Sequence, residues 1–237
     1  MKTILNRLIN HEQLTKEEAH QVLVAISEGK YNNSQISAFL TVYMMHGNYG
    51  VSSISGSSNV LEQLGVSFSN QQDHLQQCLD KSNICILHAP LFHPAMKNVA
   101  PIRRELGVKT FFNMLGPMVN PANPKNQVVG VFNLELARKY GYLYQKGSKN
   151  FAILHAIDGY DEISLTGPVK MISNTTETML NPASFSVNKI EASQIYGGTT
   201  VEASAHIFYD ILNNQGTEAQ NHVVCQCSCC NFSCKPM

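Results

Sequence analysis

The sequence predicts an α/β protein in which a small N-terminal helical domain precedes a larger α/β domain with a mostly parallel sheet. Two observations support this prediction. Apolar residues recur at helical spacing over about the first 45 residues. Beyond them, short apolar or β-branched runs of strand length alternate with helical segments. Strands that alternate with helices favour a parallel sheet covered by helices.

The N-terminal helices have recognisable start and stop signals. Thr15 followed by Glu18 has the spacing of a capping box, so a helix is expected from this point. Gly29 stands where a helix-terminating glycine is usual. A second helix is predicted to begin at Asn32 or Asn33.

The rest of the chain has the alternating pattern of an α/β sheet. Three runs have the composition of buried strands, at residues 84–87, 127–132 and 151–157. Helices are expected at residues 58 or 59–64, 134–145 and 201–212.

The composition disfavours several classes of partner. The 237 residues contain 17 Lys and Arg and 17 Asp and Glu, so no net basic charge would attract nucleic acid. No apolar run approaches membrane-spanning length, and the N-terminus lacks the apolar stretch of a secretory signal. We therefore expect a cytoplasmic protein that binds neither nucleic acid nor a membrane.

Three clusters could bind a substrate. Small and hydroxyl residues at 46–58 precede a predicted helix, and such a loop suits a phosphate, although a serine-rich helix cap would look the same. His93 and Arg103 lie in a second cluster, where an arginine could bind a carboxylate or merely cover a basic helix surface. Asp161 and Glu162 follow the predicted strand 151–157 and could hold Mg²⁺, with a solvated turn as the alternative.

These motifs, taken in order, resemble those of the anthranilate phosphoribosyltransferase family. They are a His-Gly-Asn loop followed by Ser-Ser and Gly-Ser, a His-Pro-Ala-Met segment, an Arg-x-x-Leu-Gly-x-Lys-Thr-x-Phe-Asn-x-Leu-Gly-Pro block, and a Gly-Tyr-Asp-Glu turn. The resemblance extends over residues 46–220 and includes the N-terminal helices more loosely.

The resemblance implies a glycosyltransferase of tryptophan biosynthesis with a nucleoside phosphorylase/phosphoribosyltransferase-like fold. Anthranilate would displace diphosphate from phosphoribosyl pyrophosphate, with Mg²⁺ as cofactor, in an enzyme that forms a homodimer. The matching anthranilate contacts are Asn48, His93 and Arg103. The matching phosphoribosyl pyrophosphate contacts are His46, Gly47, Asn48, Ser52, Ser53 and Ser57. Asp161 and Glu162 match the metal ligands. No residue is assigned as catalytic, because the reaction depends on charge neutralisation and substrate alignment.

The sequence departs from the family pattern before His46. Family members have a strand and a Gly-Thr-Gly-Gly-Asp loop between the second helix and the His-Gly-Asn loop, and this loop is the main cradle for the diphosphate. Here Met45 runs directly into His46. The resemblance therefore implies an internal deletion, with one or more strands missing from the sheet.

The sequence departs again after Val224. Five cysteines crowd residues 225–234, where the family continues into an alanine-rich helix. A one-nucleotide frameshift would turn alanine codons into such a run, whereas the alternative is a thiolate site for zinc or copper. The expected domains are therefore a helical domain at 1–45, an incomplete α/β domain at 46–224 and an aberrant tail at 225–237.

Three functional interpretations follow from the sequence. The first is an active anthranilate phosphoribosyltransferase, and the second is a catalytically impaired or inactive remnant of one. The third, a pyrimidine nucleoside phosphorylase-like enzyme, is disfavoured by the His-Gly-Asn loop. Whether a glutaminase subunit of anthranilate synthase pairs with the chain stays open.

Overall fold

The chain forms two compact units. The computed structural model describes residues 1–10, 12–45, 57–92, 98–99, 101–102, 105–106 and 116–224. One unit, here called the helical unit, comprises residues 1–53 and 65–120, and the other, the sheet unit, comprises residues 54–64 and 121–237. The domain boundaries expected from the sequence, at residues 45 and 224, stay predictions.

The helical unit is built from helices, three of which contribute to one apolar core. Its described helices of four or more residues are α1 (Lys2–Ile9), α2 (Lys16–Ser27), α3 (Asn33–Met45), α5 (Gln72–Ser82) and α6 (Ala89–Phe92). The core side chains are Leu8, Val22, Ile26, Ile36, Phe39, Leu40, Val99 and Ile102. The helices α1, α2 and α3 contribute buried side chains to this core, so its burial stabilises these three helices together, whereas no residue of α5 or α6 is buried.

The predicted start of α2 is confirmed. Thr15 Oγ1 accepts a hydrogen bond from the Glu18 amide at 3.2 Å, and the Glu18 carboxylate accepts one from the Thr15 amide at 2.9 Å. The Glu18 carboxylate also accepts a hydrogen bond from the Arg7 guanidinium on α1. This bond, followed by the cap bonds, lowers the pKa of Glu18. The capping residue thus also links two helices.

The sheet unit contains a four-stranded sheet and the remaining helices. Its strands are β1 (Asn126–Gly130), β2 (Asn150–Ala156), β3 (Val169–Ser173) and β4 (Glu177–Leu180). Its helices are α4 (Ser57–Gln63), α7 (Leu134–Gln145), α8 (Val201–Leu212) and α9 (Glu218–Val224). The helices expected at 58–64, 134–145 and 201–212 correspond to α4, α7 and α8.

The α/β class is confirmed, but the described sheet is mixed. The strands lie in the order β1-β2-β3-β4, with β1 and β2 parallel and the two later pairs antiparallel. The departure from a mostly parallel sheet comes from β3, which pairs antiparallel with β2 and with β4. The turn between β3 and β4 is tight and is closed by a bond from the Ser173 amide to the Thr176 carbonyl. A hairpin of this kind needs no crossover helix, so it gives antiparallel pairing.

The strand predicted at residues 84–87 is wrong. No described strand pairs with this run, and Ile84 is 64% exposed. An apolar run becomes a strand only where a neighbouring strand satisfies its backbone groups.

Other residues of the chain pack against both faces of the sheet. On one face, α7 places Tyr144 against Phe151 of β2, with ring centroids 5.5 Å apart. On the other face, Ala156 and Val169 pack against Ile163, Leu165 and other residues beyond the strands. In the part of the chain that the structure describes, no helix combines the length and hydropathy needed to span a bilayer.

Candidate functional site

Residues 158–162, here called the carboxylate turn, follow β2 directly. The Gly159 amide donates to the Ala156 carbonyl at 2.9 Å, and the Ala156 amide donates to the Tyr160 carbonyl at 3.0 Å. Gly159 has a φ of +103°, a conformation that side-chain-bearing residues rarely adopt. These bonds fold the chain back towards the end of the strand it has just left.

The turn lies against the end of β1. A Cβ atom added to Gly130, the last residue of β1, would stand 1.7 Å from the Asp161 carbonyl oxygen. The two backbones therefore approach as closely as only glycine allows. Because β1 and β2 are parallel, their carboxyl ends share one edge of the sheet, which is the usual position of ligand sites in α/β proteins.

Two adjacent carboxylates at this edge give the turn its electrostatic character. Asp161 and Glu162 are both exposed residues. Desolvation by the surrounding protein, followed by the charge of Asp161, raises the pKa of Glu162. Protein atoms around the Glu162 carboxylate partly desolvate it, although the residue as a whole is exposed. A bound cation would relieve both effects, since it favours the ionised form of each carboxylate.

The donor set fits Mg²⁺ held jointly with a substrate. Among the described residues there is no group of three or more His, Cys, Asp or Glu side chains that could hold a metal by themselves. Mg²⁺ commonly uses one or two protein carboxylates and completes its octahedron with phosphate oxygens and water. Asp161 and Glu162 match that requirement.

The third acidic residue of the turn has a structural role. The Asp158 carboxylate accepts hydrogen bonds from Thr166 Oγ1 and, at 3.4 Å, from Ser164 Oγ. It also lies close to Gly167, where an added Cβ would be 3.3 Å from it. Asp158 thus fastens the turn to the following loop.

The structure adds one residue that the sequence analysis missed. His155 on β2 is 5% exposed, and its Nδ1 lies 2.8 Å from the Val131 carbonyl oxygen. Its only signal in the sequence is a histidine inside an apolar strand, just before the acidic turn.

Most of the predicted substrate contacts lie outside the described residues. Those are His46, Gly47, Asn48, Ser52, Ser53, His93 and Arg103. Ser57 is described and is an exposed residue at the start of α4. The five tail cysteines also lie outside the described residues. Of the predicted site, the structure thus describes Ser57, Asp161 and Glu162, and it places the last two at the carboxyl edge of β1 and β2.

A small surface cavity of about 150 Å³ lies beside α7, β3 and β4. Its charged lining includes Arg138 and the ion pair between Lys170 and Glu177, whose charged atoms are 2.7 Å apart. None of the predicted site residues lines this cavity.

Comparison with known proteins gives a consistent result. The family described as "Glycosyl transferase family, a/b domain" matches residues 15–234. The chain is 53% identical to the anthranilate phosphoribosyltransferase of Flavobacterium psychrophilum, covering 95% of this chain and 87% of that protein. It is 38% identical to the enzyme of that name from Bacteroides fragilis, covering 94% of this chain and 86% of that protein.

Solved structures show the same fold. The anthranilate phosphoribosyltransferase of Thermus thermophilus superposes with a TM-score of 0.75 at 22% identity, over 93% of this chain and 85% of that one. The Saccharomyces cerevisiae enzyme in complex with PRPP and Mg superposes with a TM-score of 0.62 at 25% identity, over 74% of this chain and 50% of that one.

The alignments also show that residues are missing from this chain. The alignment with the Flavobacterium psychrophilum enzyme runs over 287 positions, whereas 95% of 237 residues is about 225. About 60 aligned positions therefore have no counterpart here.

Proposed function

Because the chain belongs to the anthranilate phosphoribosyltransferase family, we propose that it transfers the phosphoribosyl group of phosphoribosyl pyrophosphate to the amine of anthranilate. The products are N-(5-phosphoribosyl)anthranilate and diphosphate. The observation that carries the proposal is the carboxylate turn, which holds Asp161 and Glu162 at the carboxyl edge of the parallel strands β1 and β2.

The chemistry suits such a site. The aromatic amine is a neutral nucleophile, so the reaction needs little help from a base. It needs the leaving diphosphate neutralised and the two substrates aligned. Mg²⁺ bound with the diphosphate supplies that neutralisation, and Asp161 and Glu162 are the residues that would hold it.

The remaining substrate contacts are proposed from the family motifs. Arg103 would bind the anthranilate carboxylate through paired hydrogen bonds, with Asn48 and His93 lining the same channel. The phosphoribosyl pyrophosphate contacts would be His46, Gly47, Asn48, Ser52, Ser53 and Ser57. We further propose a cytoplasmic homodimer with a helical domain at 1–45, an α/β domain at 46–224 and an altered tail after Val224.

A second candidate, an impaired enzyme, is favoured by the missing residues. About 60 aligned positions are absent from the chain, and we place the loss between Met45 and His46. That deletion would remove the glycine-rich loop, and with it backbone amides that bind the diphosphate. The consequence would be weak binding of phosphoribosyl pyrophosphate with the anthranilate contacts retained.

A steady-state assay separates the two candidates. Loss of anthranilate fluorescence is followed with phosphoribosyl pyrophosphate and Mg²⁺, for the chain and for Asp161→Asn. Turnover that falls in the variant supports the active enzyme. No turnover in the chain, but turnover after the family segment is inserted behind Met45, supports the impaired one. No turnover in the chain and none after insertion of the family segment contradicts the proposed reaction.

A further inference from the structure

His155 makes a hydrogen bond that core packing alone does not require. The residue is on β2 and is 5% exposed, and its Nδ1 lies 2.8 Å from the Val131 carbonyl oxygen. A carbonyl oxygen only accepts hydrogen bonds, so Nδ1 carries the donated hydrogen. The bond therefore joins a side chain of β2 to the backbone just beyond β1.

Both polar backbone groups of Val131 are held by β2. The Val131 amide donates to the Leu154 carbonyl at 2.9 Å, and the Val131 carbonyl accepts from the His155 ring. Val131 itself is 1% exposed, so its carbonyl could not turn to water for another partner. The side chain of His155 thus extends the β1–β2 pairing beyond Gly130.

The backbone held in this way supports the carboxylate turn. Gly130 directly precedes Val131, and the Asp161 carbonyl oxygen occupies the space that a Cβ on Gly130 would need. A shift at the end of β1 would therefore move Asp161. The position of Asp161 also fixes where the neighbouring Glu162 carboxylate can stand.

We propose that His155 is a positioning residue for the cation site: through the Val131 carbonyl it holds the end of β1, against which the backbone of Asp161 lies, next to Glu162. The inference rests on the proposed function, because it takes these two carboxylates as the Mg²⁺ ligands. Residues that orient metal ligands without touching the metal typically change metal affinity by 10–100-fold when removed.

The test is a titration of the full chain with Tb³⁺, a hard cation that binds oxygen ligands as Mg²⁺ does. Its higher charge lets it bind a pair of carboxylates without the substrate phosphate that Mg²⁺ would share. The chain contains no Trp, and Tyr160 adjoins Asp161, so tyrosine-sensitised Tb³⁺ emission reports binding at the turn. Competition with Mg²⁺ gives the affinity for Mg²⁺. Asp161→Asn shows which part of the signal belongs to the site.

Three variants isolate the hydrogen bond. His155→Leu removes the donor, whereas His155→Asn keeps an N–H near the position of Nδ1. Phe151→Leu perturbs the opposite end of β2, where the Phe151 ring packs against Tyr144, and serves as a control for lost stability. We expect affinity for Tb³⁺ about tenfold weaker in His155→Leu, and close to that of the unmodified chain in His155→Asn and Phe151→Leu.

Other results would overturn the inference. Unchanged affinity in His155→Leu would do so, as would an equal loss in Phe151→Leu or a loss in His155→Asn as large as in His155→Leu. If His155→Leu does not fold, His155→Gln replaces it. The glutamine amide lies near the position of Nε2, so it cannot donate to the Val131 carbonyl. Equal Tb³⁺ affinities for the Asn and Gln variants would then contradict the positioning role of His155. Absence of binding by the unmodified chain, or full binding by Asp161→Asn, would instead remove the metal role of the turn, and this inference with it.

Discussion

The helical unit and the sheet unit depend on different interactions. In the helical unit, whole side chains such as Phe39 and Leu40 are buried between helices. In the sheet unit, close backbone approaches matter as well, such as that of Gly130 to Asp161. The first kind of contact depends on the volume of the side chains, whereas the second depends on the absence of a side chain at Gly130. The candidate cation site depends on the close backbone approach of Gly130 to Asp161.

The largest expected effect is loss of a core side chain in the helical unit. Phe39 is 1% exposed, so Phe39→Ala removes a buried ring and leaves a cavity, at a cost of about 3–5 kcal/mol. Urea unfolding followed by circular dichroism measures the change. Leu79→Ala is the control, because Leu79 is 40% exposed in the same unit and should change little. Similar losses for both variants would show that the helices are not held by this core.

A backbone clash in the sheet unit should cost less stability but disturb the site more. Gly130→Ala places a methyl group where the Asp161 carbonyl stands, and we expect a loss of about 1–3 kcal/mol. The carboxylate turn must move, so Tb³⁺ affinity should fall too. Gly197→Ala is the matched control, since nothing lies within 4 Å of its added Cβ. Unchanged affinity in Gly130→Ala would mean that the turn does not rest on β1.

Helix caps should contribute equally in the two units. Thr15 caps α2 in the helical unit, and Thr200 caps α8 in the sheet unit, where its hydroxyl accepts from the Ala203 amide at 3.1 Å. Replacing either by Ala should cost about 1 kcal/mol. Melting temperatures of the two Ala variants measure this loss of stability. The conservative control has Ser in place of each Thr. A much larger loss for Thr15→Ala would show that the α1–α2 link through Glu18 depends on the cap.

The smallest effect concerns pH and Glu162. Its pKa is raised in the folded chain, so ionisation there is disfavoured. The unfolding free energy should fall as pH rises from the ordinary glutamate pKa of about 4.3 through the raised value. Glu162→Gln should therefore be the more stable protein at neutral pH, by less than about 1 kcal/mol after solvent screening, and no more stable in acid.

Added Mg²⁺ gives the control for this last prediction. Mg²⁺ should stabilise the unmodified chain at neutral pH and have less effect on Glu162→Gln, because ligand binding to the folded state raises its stability. Melting temperatures with and without Mg²⁺ measure both effects. Equal stabilisation of the two proteins would place the cation elsewhere.

The sequence was informative where local signals decide the structure. The capping box at Thr15 and Glu18 and the helical segments expected at 134–145 and 201–212 are local features of the sequence, and all three elements are confirmed. The acidic turn could be placed because it directly follows a recognisable buried strand.

The features that the sequence did not predict depend on contacts between different strands. The β3–β4 hairpin was not predicted, because β3 and β4 carry Lys170 and Glu177, whose ion pair forms only across the strands. The approach of Gly130 to Asp161 and the bond from His155 to Val131 join residues from different strands, and no spacing rule indicates them.

The order of the described strands has a consequence for folding speed. Each described ladder joins strands that are consecutive along the chain, so the sheet forms from contacts of short sequence separation. Low contact order favours rapid folding, because little loop entropy is lost before pairing begins. Chains emerge from synthesis N-terminus first, so residues 126–180 can complete this sheet before the segment after Val224 exists. A change confined to the tail would then leave the rate of sheet formation as it is.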